Sequence, residues 1–115
     1  MAFELRPPDR LEDLTGLQGQ IREACRELGL EGQAALDLLA GGSAAWAAAL
    51  LAGGEGLALT LERLGTRLTL ELRFDLPTSE GAPPGLDEAL FCPPALRSDW
   101  LRSGRGASFS LVWDV

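Results

Sequence analysis

LLAGGSAAWAAALLAGG, residues Leu38 to Gly54, holds no charged side chain, although Asp37 and Glu55 stand at its two ends. A run so apolar and so rich in small residues is not an amphipathic surface helix; it either spans a membrane or packs inside a globular domain. A span usually needs about 18 apolar residues or more, and this run falls just short, with acidic flanks and no arginine cluster to mark a cytoplasmic side. The sequence therefore predicts a helix over about Gly32 to Ala52, inside a globular domain and apolar on all sides, carrying Leu36, Leu39, Trp46, Leu50 and Leu51. Gly41 and Gly42 within it cost about 1 kcal/mol each relative to alanine. Close approach of another backbone, or a kink, would offset that cost. Gly53 and Gly54 supply the exit.

Working back from this helix, Phe3 to Arg6 reads as a short strand stopped by Pro7 and Pro8, which cannot donate to a ladder. Asp9 is placed to cap a first helix whose Leu11, Leu14, Leu17, Ile21, Cys25 and Leu28 form one stripe at three- and four-residue steps, with Gly29 as its C-terminal cap. Working forward, Leu57 to Leu64 and Thr66 to Phe74 read as a hairpin turning at Gly65. Its second strand alternates strictly, with Leu68, Leu70, Leu72 and Phe74 inward and Arg67, Thr69, Glu71 and Arg73 outward. Leu76 to Gly106 is rich in proline and glycine and reads as loop, with helical turns near Asp87 to Leu90 and Leu96 to Leu101. Ala107 to Trp113 closes the chain as a strand with Phe109, Leu111 and Trp113 on one face. The expected fold class is α+β: one domain over residues 1–115, a two-layer sandwich whose mixed, mostly antiparallel sheet is covered on one face by two main helices.

Composition narrows the chemistry. The 115 residues include no His, Lys, Tyr or Asn, and all ten basic residues are Arg. Without His there is no Ser-His-Asp triad and no imidazole metal ligand. The net charge of −7 disfavours nucleic acid as a partner, since phosphate binding rests on basic side chains. Cys25 and Cys92 form no Cys-x-x-Cys pair and read as buried thiols. MAFELRPPDR lacks the plan of a signal peptide, so the expected location is the cytoplasm, with no membrane partner.

The element order, and the frame Ser43-Ala44-Ala45-Trp46-Ala47-Ala48 in the long helix, resemble the GHKL (Bergerat-fold) ATPases and kinases, specifically the small bacterial anti-sigma regulatory factors. That resemblance implies a Glu, which activates a water or hydroxyl, at the position of Ala44, and a magnesium-holding Asn at the position of Ala48. Both groups are absent. The hairpin LALTLERLGTRLTLELRFD matches the strands that lead the family into an Asp-x-Gly-x-Gly box, so Asp75 takes the place of the adenine-contacting Asp, while Pro77 and Ser79 replace the glycines. Gly104-Arg105-Gly106 has the pattern of the phosphate-cradling turn, yet a strand rather than a helix follows it, and the nucleotide lid would be abbreviated.

These residues leave two readings. In the first, the chain is a non-catalytic regulatory domain that binds a protein; the resemblance implies a sigma factor or an anti-sigma antagonist, or a second copy in a homodimer. Arg97, Trp100 and Arg102 are its candidate partner-binding patch, since Trp and Arg are favoured in hot spots. In the second, Asp75, Gly104 and Gly106 still hold ATP, ADP or another small ligand without kinase activity. No catalytic or metal-binding residue is assigned, and no cofactor is expected. Ser43 has no base to activate it, and the adjacent pairs Glu12/Asp13 and Asp87/Glu88 point in different directions on a helix.

Overall fold

The computed structural model describes residues 2–76 and 97–114. In chain order it contains β1 (Ala2–Leu5), a 3₁₀ turn (Leu11–Asp13), α1 (Leu14–Glu27), α2 (Gly32–Leu51), β2 (Glu55–Leu64), β3 (Arg67–Asp75), β4 (Arg97–Ser103) and β5 (Gly106–Asp114). The strands form one sheet in the order β1-β2-β3-β5-β4, and among the described residues every pairing is antiparallel, in the α+β sandwich that the sequence predicts. Both helices cover one face of this sheet, as the alternation in β3 predicts. Leu68, Leu70, Leu72 and Phe74 are buried with Phe109, Leu111 and Trp113 of β5, against Leu17, Ile21, Leu38, Ala45, Trp46 and Ala49 of the helices.

Long helix α2 departs from its expected all-round burial. Leu38, Gly41, Gly42, Ala45 and Ala49 lie in the core, whereas Leu36 and Leu51 are 59% and 73% exposed. Among the described residues the fold has two layers, and no third layer packs on Leu36 or Leu51. By length and composition α2 is apolar enough to cross a membrane, but here its glycine face is pressed on the sheet. A Cβ on Gly41 would sit 3.0 Å from Trp113 Cζ2, and one on Gly42 3.0 Å from Ile21 Cδ1 and 3.3 Å from Leu70 Cδ1. The close approach is thus made by side chains rather than another backbone, and α2 runs unbroken through both glycines.

Both helices end in the same way. Leu30 N–H donates to Cys25 O at 2.8 Å and Gly29 N–H to Arg26 O at 3.2 Å; Gly54 N–H donates to Ala49 O at 2.8 Å and Gly53 N–H to Leu50 O at 3.0 Å. These are Schellman caps, with Gly29 (φ 70°) and Gly53 (φ 84°) in the left-handed region. The helix start is different from expectation. Asp9 precedes the 3₁₀ turn, neither it nor Asp13 makes a side-chain cap, and Leu11 and Leu14 are exposed rather than part of the buried stripe. The stretch is instead fastened by Trp46, whose Nε1–H donates to Pro8 O at 2.6 Å.

Arg97 to Ser103, expected as loop with a helical turn near Leu96 to Leu101, is a strand paired with β5 from Arg97↔Val112 to Ser103↔Gly106. The turn expected at Asp87 to Leu90, together with Pro77, Ser79 and Cys92, lies outside the described residues.

Candidate functional site

The strand ends bring several of the singled-out residues together. Asp75, last in β3, is in register with Gly106, first in β5, and Leu76 N–H donates to Arg105 O at 2.8 Å. An extra residue in β2 makes room beside them: the register slips between Glu55 and Ala58, with Gly56 at φ 62° and its Cβ position 3.7 Å from Asp75 Oδ2. The result is an open concavity of about 710 Å³ on the helix-free side of this end of the sheet, lined among others by Asp75, Gly106, Arg102, Arg73, Arg6 and Glu4.

Its charges are mixed. Glu4 lies 3.5 Å from both Arg6 and Arg73, and Arg73 Nε lies 3.4 Å from Glu71. These groups are about half exposed, so such pairs are worth little individually. The Arg6 and Arg73 guanidiniums with the Glu4 and Asp75 carboxylates around an open floor suit a zwitterionic or anionic surface group better than proton transfer. Glu4, Arg6 and Arg73 were not singled out from the sequence. The parity of β3, which sends Arg73 to the same side as Asp75, was the available signal.

Gly104-Arg105-Gly106 serves the sheet directly. Gly104 (φ 61°) and Arg105 form the two-residue loop between β4 and β5, and Arg102 Nε–H donates to Gly104 O at 3.0 Å. Gly65 (φ 60°) and Thr66 do the same between β2 and β3, with Arg63 Nε–H donating to Gly65 O at 3.2 Å. Glycine alone at positive φ in the first central position fits a type II′ hairpin turn. A strand follows Gly106, as its alternation predicts, so the turn does not open a helix whose N-terminus would hold an anion.

Arg97, Trp100 and Arg102 lie along β4, which is an edge strand of the sheet, rather than in irregular chain. The register pairs Trp100 with Phe109, Arg102 with Ala107 and Arg97 with Val112.

The frame in α2 sits on the opposite side of the sheet from Asp75. Ala48 is buried and Ala44 is partly buried against the core. Ser43 Oγ is buried without a hydrogen-bond partner among the described residues. No group of three His, Cys, Asp or Glu that could hold a metal ion occurs among the described residues. Cys25 is buried with a free thiol, and burial pushes its pKa above the ordinary 9.0, which keeps it protonated and unreactive at neutral pH.

No family model matches this chain, and no curated protein does. Among solved structures, 99% of the chain superposes on 32% of the crystal structure of the RsbU and RsbW domains of Rv1364c from Mycobacterium tuberculosis, with a TM-score of 0.78 and 13% identity. The likeness is one of fold. It supports the expected two-layer α+β architecture, and this chain spans about a third of that protein's length.

Proposed function

We propose that the chain is a non-catalytic regulatory domain that binds a protein, built on an anti-sigma-like fold and acting in the cytoplasm. The observation that carries the reading is the α2 frame: Ala44 and Ala48 offer methyl groups where proton transfer and magnesium binding would need a carboxylate and an amide, and the buried Ser43 Oγ has no partner among the described residues to activate it. The sandwich itself needs none of those polar groups. A sigma factor or an anti-sigma antagonist is the partner class that the fold resemblance favours, with no metal or nucleotide required.

Calorimetric titration with ATP and ADP, with and without magnesium, tests this. No binding is expected up to millimolar nucleotide. Micromolar binding weakened by Asp75→Ala would overturn the reading in favour of a second one, a ligand-binding protein without kinase activity. The specific support for that alternative is the concavity that gathers Asp75, Gly106 and Arg102 with Arg73 and Arg6.

A further inference from the structure

One edge of the sheet runs beside an unfilled groove. β1 pairs only with β2, from Ala2↔Glu62 to Leu5↔Leu59, so among the described residues its other side presents unpaired backbone donors and acceptors. Between that edge and α1 lies a groove of about 360 Å³, floored by Phe3, Leu5 and Ala24 and flanked by Gly19, Glu23 and Glu27. Gly19 leaves it open, because a Cβ built there would meet nothing within 4 Å.

We infer that this edge and groove form a docking site for an extended segment of a partner protein, one that alternates aliphatic with Lys or Arg residues. The inference deepens the protein-binding reading above and rests on it. An added strand satisfies the open backbone row of β1, while the floor beside it takes the stems of the basic side chains, and the aliphatic residues between them point to the other face of the sheet and favour the extended chain. Charge then selects the sequence. Glu23 and Glu27 are exposed on the α1 rim one turn apart, about 6 Å along the helix, close to the roughly 6.8 Å between same-face residues of a strand. Glu23 is paired only with exposed Arg26 at 3.3 Å, and Glu27 makes no ion pair among the described residues. A second copy of the chain is the poorer occupant, since it would bring the same carboxylates, and a net charge of −7, to an already acidic rim.

The test is fluorescence polarisation with a labelled, end-capped peptide about ten residues long that alternates Val and Arg. Saturable binding is expected. It should weaken about tenfold with Glu23→Gln/Glu27→Gln, vanish when every second peptide amide is N-methylated or when Gly19→Trp fills the groove, and persist with Gly19→Ala and with Leu36→Ala on the far side of the helices. Circular dichroism and thermal unfolding establish that each variant is folded. Absence of binding, equal binding of a Val-Glu peptide, or binding that survives Gly19→Trp would overturn the inference. So would a dimer in sedimentation that Gly19→Trp dissolves, since the groove would then belong to a second copy. Failure here with nucleotide still unbound removes this groove alone, whereas nucleotide binding through Asp75 removes the scaffold reading and leaves the groove standing.

Discussion

At the scale of single residues, Gly41 and Gly42 look alike in the sequence but are held by different neighbours. Alanine at either gains about 1 kcal/mol of helix propensity, and overpacking costs about 1–3 kcal/mol where neighbours cannot yield. Gly41 faces the rigid indole of Trp113, with Cζ2 at 3.0 Å and Cη2 at 3.3 Å, whereas Gly42 faces the movable methyl ends of Ile21 and Leu70. Gly41→Ala should therefore lose about 1 kcal/mol in urea unfolding, and Gly42→Ala should stay within about 0.5 kcal/mol of the parent. Equal effects would show that the indole is not the constraint. The sequence announced that a close approach was needed here. It could not say which element made it, because the contacting residues lie up to 72 positions away at Trp113.

At the scale of elements, Arg63 ties the β2–β3 hairpin to the end of α1. Its Nη1–H donates to Leu28 O at 2.8 Å and Gly29 O at 3.2 Å, and its Nε–H to Gly65 O. A guanidinium on the last carbonyls of a helix satisfies acceptors that the helix leaves open and complements the dipole. Charged hydrogen bonds of this kind are worth about 1.5–3 kcal/mol when buried, and these are partly exposed, so Arg63→Ala should cost about 1–2 kcal/mol in chemical unfolding. Arg63→Lys should recover only part of that, since one ammonium cannot span both sites. A loss below about 0.5 kcal/mol would remove Arg63 as the tie. Both hairpins use Gly-x loops, yet only the first was legible. Leucine alternation flanks Gly65, whereas Arg-Ser-Asp-Trp-Leu-Arg-Ser before Gly104 carries no period of two, and its Leu96, Trp100 and Leu101 spacing imitates a helix. Strand β4 forms because β5 offers it a full ladder, which is a property of the partner and not of its own residues.

For the whole molecule, the net charge of −7 is spread over a domain whose ion pairs, such as Arg73–Glu4 and Arg26–Glu23, are solvent-exposed. Self-repulsion should outweigh such pairs. Raising ionic strength from about 0.02 M to about 0.5 M shortens the Debye length severalfold, so the melting temperature is expected to rise by a few degrees in calorimetry. A fall would mean that the exposed pairs matter more than the excess charge. What the sequence determined by itself was periodic: an uncharged small-residue helix, an amphipathic helix closed by Gly29, and a strictly alternating strand. Together these suffice for a sandwich with helices on one face, because period and burial are local properties of the chain. Only the tertiary structure decided that the described strands all pair antiparallel with β5 between β3 and β4, that Asp75 and the α2 frame lie on opposite sides of the sheet, and that Leu36 and Leu51 of α2 stay exposed. Those outcomes depend on which strands find each other and on how many layers there are to cover a helix, and no window of sequence contains that information.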